Sequence, residues 1–137
     1  ILAGEINLVE FDRRLLEVLS ASQGMWLGKD DGFDLSFVYQ MDQKLGGESP
    51  NDVYSRMVSF WDDLQNKPFK SCVVCSHGDP LFLLVKYLRH DVATNEINHL
   101  DMAGLYETDR DYLRKGSFFR VDVLDEGGIE ISEMVSV

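Results

Sequence analysis

The chain has 137 residues, enough for one ordinary domain and too few for two. Hydrophobic residues make up 45% and charged residues 27%, a balance that buries a core and excludes intrinsic disorder. Asp and Glu outnumber Lys and Arg by 24 to 13, for a formal charge of −11, so the chain repels phosphate backbones at long range and nucleic-acid binding is not expected. A small anionic substrate stays possible, because a local site can oppose the global field.

No apolar run is long enough to span a bilayer and no signal-peptide pattern opens the chain, so no membrane partner is expected. Two cysteines, Cys72 and Cys75, cannot build a disulfide framework, and the cytosol is the default compartment. The chain begins at Ile1 without Met, and neither a linker nor an internal repeat divides it.

The stretch Ile6–Phe11 is apolar-rich and reads as extended. Residues Arg13–Leu19 are ambiguous between a turn of helix and a loop. Gly24, Gly28 and Gly32 mark irregular backbone, and Gly46-Gly47-Glu48-Ser49-Pro50 is a loop. A helix follows, with Ser49 as N-cap, Pro50 at its first position and Asp52 at the third, a capping box in its Asp form. Val53, Met57, Phe60, Trp61 and Leu64 recur at helical spacing and make one apolar face. Asp52 and Arg56 stand four apart, where an ion pair along the helix is worth about 0.2–0.5 kcal/mol. Asn66-Lys67-Pro68 ends the helix.

Ser71–Ser76 is short, β-prone and apolar on both faces, which predicts a buried parallel strand with Cys72 and Cys75 in the core. His77-Gly78-Asp79-Pro80 follows. Asp79 is the expected cap and Pro80 the opening of a second helix over Leu81–Arg89, apolar nearly all round and so buried. Asp91–Lys115 reads as loop with one short helix. Phe119, Val121 and Val123 alternate with polar residues as a strand, Glu126-Gly127-Gly128 is a turn, and Ile129-Glu130-Ile131 returns as a hairpin.

His77 therefore lies just past the carboxyl end of a strand and just before a helix N-terminus. Open α/β sheets bind ligands at that place, and the unpaired N–H groups of a helix start suit phosphate or carboxylate. Gly78 lets backbone approach such a ligand, and His77 can donate a hydrogen bond or carry charge beside it. The alternative is a packing histidine in a tight strand–helix turn.

The run Cys72-Val73-Val74-Cys75-Ser76-His77-Gly78-Asp79-Pro80-Leu81 resembles the second histidine motif of the histidine phosphatase superfamily, which includes cofactor-dependent phosphoglycerate mutases and many phosphomonoesterases. Phe11-Asp12-Arg13-Arg14-Leu15-Leu16-Glu17 resembles that family's D-x-R-L-x-E segment. Gly24-Met25-Trp26-Leu27-Gly28 resembles its glycine-aromatic-glycine element. Gly46-Gly47-Glu48-Ser49 with Asp52, Val53 and Arg56 resembles its loop and helix before the second histidine. The four elements stand in the family's order.

The resemblance implies an α/β three-layer sandwich with a mostly parallel sheet. It implies attack on a small phosphate ester by a histidine and passage through a phosphohistidine, with no metal or other cofactor. His77 matches the histidine that flanks the phosphoryl group, Glu17 the proton donor to the leaving group, and Gly78 and Asp79 belong to the substrate-binding turn. The nucleophile belongs to an R-H-G motif, and none occurs in these 137 residues. The expectation is a single partial domain over residues 1–137, N-terminally incomplete, with the nucleophile upstream. A strand edge left open by that loss would favour self-association. The alternative is a non-catalytic anion-binding or regulatory module on the same scaffold.

Other patterns carry less. Arg89-His90-Asp91 is not an R-H-G, since Asp91 replaces the glycine, and His90 reads as an exposed cation near a helix C-terminus. Cys72-x-x-Cys75 lacks the further ligands of a zinc site. Asp30, Asp31 and Asp34 lack calcium-loop spacing, and His99 has no partner in sequence. Glu48 is explained by the helix start beside it and Arg56 by a pair along its helix.

Overall fold

The structure is a computed structural model, and it describes residues 9–20, 46–68, 70–90, 97, 109–125 and 127–136. Gly24–Gly28, Asp30, Asp31, Asp34, Asp91 and His99 lie outside the described residues.

The first long helix, α1, spans Pro50–Gln65, and its start follows the capping-box expectation. The Ser49 hydroxyl accepts the Asp52 N–H at 3.1 Å, and the Asp52 carboxylate accepts the Ser49 N–H at 2.8 Å. These two bonds satisfy donors that a helix start leaves unpaired. They also hold the Asp52 carboxyl below the usual carboxylate range, with the Ser49 hydroxyl as the larger cause. Asp52 is thereby committed to the cap, and the expected Asp52–Arg56 pair does not form. Arg56 turns back to Glu48 instead.

The second helix, α2, spans Gly78–Leu88. Its N-cap is His77, not Asp79, because the backbone is still extended at His77 and turns helical at Gly78. The Leu81 N–H donates to the His77 carbonyl at 3.1 Å. Pro80 thus falls in the first turn, where its missing N–H costs nothing.

The two helices pack along one apolar seam. Val53, Tyr54, Met57, Phe60 and Trp61 of α1 meet Phe82, Leu83, Leu84 and Leu88 of α2, with Ile97 and Tyr112 completing the buried cluster. Tyr54 and Tyr87 meet edge to face with ring centroids 5.9 Å apart. Each fully buried aliphatic or aromatic side chain contributes roughly 1.5–3 kcal/mol. Leu64, at the end of the expected face, is only partly buried.

Beyond α2 the chain forms a long antiparallel hairpin in two ladders. Strand β1, Ser117–Phe118, pairs with β4, Val135–Ser136, and β2, Val121–Val123, pairs with β3, Ile129–Ile131. Phe118 faces Val135 and Val121 faces Ile131, so the returning strand carries one more residue than its partner. This is a bulge, and Ser132 occupies it by donating its N–H to the Arg120 carbonyl and accepting the Arg120 N–H, both at 2.9 Å. Gly127 turns the hairpin with φ +80°, a conformation that favours glycine. Val121, Ile129 and Ile131 pack on the core, whereas Val123 is exposed.

Ser71–His77 precedes α2 without forming regular secondary structure, ends in the extended backbone of His77, and is not the buried strand expected. No described strand pairs with it, and Cys72 and Cys75 are exposed free thiols, with Val73 68% exposed. Only Val74 packs on the helical core. No strand lies along its edges among the described residues. Among the described residues no helix is long and apolar enough to cross a membrane.

The cap yields a signed expectation. Ser49→Ala should destabilise the native state by about 1 kcal/mol near neutral pH. Asp52, depressed in the fold, contributes stability above its unfolded pKa of about 3.9 and loses it as pH falls through its folded value. Denaturation of protein and variant from pH 7 to pH 2 should show their difference shrinking below about pH 4. A constant difference would mean the cap does not set the Asp52 ionisation.

Candidate active site

Glu17 is delivered by a short turn that starts from Asp12. The Asp12 carboxylate accepts the Arg14 N–H at 2.8 Å and caps a 3-10 turn over Arg13–Leu15. The Arg14 guanidinium then bridges Asp12 and Asp63 at 2.6 Å each, donates to the Ser59 carbonyl at 3.0 Å, and lies over the Phe60 ring. Arg14 holds the Asp12 carboxyl below the usual carboxylate range. The hydrogen bonds that Asp12 and Asp63 accept from the guanidinium raise its pKa in turn. Of Arg13–Leu19, which reads as either a turn of helix or a loop, Arg13–Leu15 is a 3-10 turn clipped to α1 and the rest is irregular.

Past that turn, Glu17 Oε2 lies 3.2 Å from His77 Nδ1. Both side chains are 51% exposed, so solvent and ligand reach the pair. The Ser76 hydroxyl donates to the Leu15 carbonyl at 2.7 Å and ties the two segments together one residue before His77. Two residues sixty positions apart in sequence thus meet at one contact.

The pair opens on a cavity of about 780 Å³. It is lined by Glu17, Ser76, His77, Gly78 and Leu81 together with the segment Tyr112–Ser117. Arg114 and Lys115 belong to the same lining as His77 and give an acidic protein local positive charge there.

Gly78 and Asp79 have a structural role beside their place in this turn. A Cβ on Gly78 would stand 2.9 Å from Tyr112 Cζ, well inside van der Waals contact. The Tyr112 hydroxyl donates to Asp79 Oδ1 at 2.6 Å. Gly78 therefore lines the cavity and admits the Tyr112 ring, while the Asp79 carboxylate anchors that ring and is not part of the cavity wall. The site includes a tyrosine from a segment that the sequence pattern leaves as loop.

That segment is anchored by buried charge. Asp111, 1% exposed, lies 3.1 Å from Lys86 Nζ and 3.2 Å from Arg89 Nε, and Lys86 also reaches Asp109 at 3.0 Å. Burial pushes the Lys86 ammonium pKa down, but the Asp109 and Asp111 carboxylates outweigh it and raise it above the ordinary lysine value. Arg89 is occupied here, and it also donates to the Ser132 carbonyl at 3.2 Å. His90 is exposed just beyond the end of α2, with φ +55°.

The chain matches the family model of the histidine phosphatase superfamily (branch 1) over residues 5–115. It belongs to the histidine phosphatase superfamily. Comparison with curated proteins and with solved structures gives no match. The match spans the Glu17 turn, α1, the His77 segment and the Tyr112 wall, and membership makes the fold class α/β and the chemistry broadly of phosphatase or mutase type. The described part of that fold is two helices with antiparallel ladders.

Tyr112 and Asp111 gave no local signal, because their partners stand 33 and 25 residues away. Gly78→Ala should push the Tyr112 ring off Asp79 and cost about 1–3 kcal/mol as an overpacked contact. In a Tyr112→Ala background the same change should be neutral or stabilising, since alanine favours a helical position over glycine. Urea denaturation of the four proteins checks this, and equal costs in both backgrounds would refute the contact.

Proposed function

We propose that this chain carries the phosphate-flanking and proton-donating half of a histidine phosphatase site that acts on a small phosphate ester. The observation that supports this most is the half-exposed pair of His77 and Glu17, 3.2 Å apart in the lining of a cavity that Arg114 and Lys115 also line. In this reading a histidine from an upstream R-H-G segment attacks phosphorus, and the ester P–O bond breaks. His77 flanks the transferring phosphoryl group and stabilises its charge. Glu17 gives its proton to the leaving alkoxide, then takes one from the water that cleaves the P–N bond and releases phosphate. Gly78 and Asp79 shape the substrate-binding turn. The free thiols of Cys72 and Cys75 fit a reducing cytosolic setting.

The experiment is phosphate release from an aryl phosphate. The 137-residue chain should be inactive, and the chain extended upstream through an R-H-G segment should turn over. In the extended protein His77→Ala should lower kcat by about 10²–10³-fold, as removal of a charge-stabilising donor does. Glu17→Gln should lower it by about 10²–10⁴-fold, as loss of general acid catalysis does. Activity in the 137 residues alone that His77→Ala removes would mean a complete site is already present. An inactive extended protein that still binds inorganic phosphate would favour the non-catalytic anion-binding module.

The same reading makes Ser71–His77 an interior strand of a mostly parallel, three-layer sheet. Its exposed Val73, and the lack of a pairing strand among the described residues, support that placement and a tendency to self-associate. Sedimentation should detect dimers or larger species of the 137-residue chain, and Val73→Lys should shift them to monomer. A monomer at every concentration would count against an open edge here.

A further inference from the structure

Glu17 owes its position to two residues that do not line the cavity. Arg56 of α1 meets Glu48 through two prongs, Nε to Oε1 at 2.7 Å and Nη2 to Oε2 at 3.1 Å. Both side chains are largely covered, with 15% and 22% exposure. Glu48 Oε2 also accepts the Leu19 N–H at 2.8 Å, and the Glu48 N–H donates to the Leu19 carbonyl at 2.8 Å. The remaining Arg56 donors reach the other way, Nη1 to the Arg14 carbonyl and Nη2 to the Glu17 carbonyl at 3.4 Å. The pair therefore grips the backbone on both sides of Glu17, at Arg14, at Glu17 itself and at Leu19.

The grip has a rigid base. Glu48 immediately precedes the Ser49 cap, and Arg56 is two turns into α1, whose inner face is the core. A lysine could not reproduce it, because one ammonium lacks the planar fork that serves a carboxylate and two carbonyls together.

We propose that Glu48 and Arg56 are positioning residues that hold the Glu17 backbone so that its carboxylate meets His77 Nδ1. The catalytic meaning of this rests on the functional reading above, but the geometry is testable without turnover. The probe is the His77 side-chain ¹⁵N signal in the full 137-residue chain, which reports the partner of Nδ1. Glu17→Gln should shift that signal, and Arg56→Lys and Glu48→Gln should each shift it comparably. The Glu17→Gln/Arg56→Lys double variant should show no more than either single change, since both remove one contact. Leu88→Ala, a core truncation distant from the clamp in sequence, should lower stability and leave the signal in place.

An unmoved signal in Arg56→Lys and Glu48→Gln beside a moved one in Glu17→Gln would overturn the proposal, as would additive shifts in the double variant. An unmoved signal in Glu17→Gln would overturn it too, by removing the contact it explains. Should Arg56→Lys fail to fold, Glu48→Gln, which keeps the side-chain shape, decides alone. Absent phosphatase activity with the coupled shifts intact would refute the functional reading and leave the clamp standing.

Discussion

The apolar seam between α1 and α2 carries the load on which both halves of the site hang. Met57, Val53, Phe82 and Leu83 are fully buried along it, so the two helices have little freedom to slide. From α1, Ser59, Asp63 and Arg56 reach out to the turn that holds Glu17. From the start of α2, His77 is placed where the extended backbone turns helical. The 3.2 Å contact between Glu17 and His77 is thus a meeting of two side chains fixed to one core.

Charge does a different job from burial. The chain carries a large negative excess, and most of its described cations are used as fasteners. Arg14 joins Asp12 to Asp63, Arg56 joins Glu48 to backbone carbonyls, and Lys86 and Arg89 converge on Asp111. The more exposed of these pairs, such as Arg14 with Asp63, add little stability, about 0–1 kcal/mol. Their importance lies in direction, because a forked guanidinium fixes the orientation of the loop it holds. The buried Asp111 cluster is the stronger case, since removing one partner would strand a buried charge. It holds the segment from which Tyr112, Arg114 and Lys115 join the cavity lining.

Membership of the histidine phosphatase superfamily gives these fasteners a context. The match runs from residue 5 to residue 115 and so includes every residue that positions Glu17 and His77. The bulged hairpin beyond it lies outside the match and packs Val121, Ile129 and Ile131 onto the core. Ser71–His77 lies between the two helices in sequence, packs Val74 on the core, and pairs with no strand among the described residues.

Local chemistry was readable wherever neighbours in sequence are neighbours in space. The capping box of Ser49 and Asp52, the apolar face of α1, the buried character of α2 and the hairpin turn at Gly127 all rest on contacts a few residues apart, so composition and spacing determined them. The ordered motifs around Glu17 and His77 also singled out the two residues that meet. What spacing could not decide was which of several acceptors each cation would take. Arg56 had Asp52 four residues ahead of it, yet the cap had claimed Asp52 and the folded chain offered Glu48. Nor could spacing place Tyr112 against Gly78, or leave Cys72 and Cys75 in solvent. Those outcomes depend on what packs alongside, and only the tertiary structure supplies a neighbour from tens of residues away.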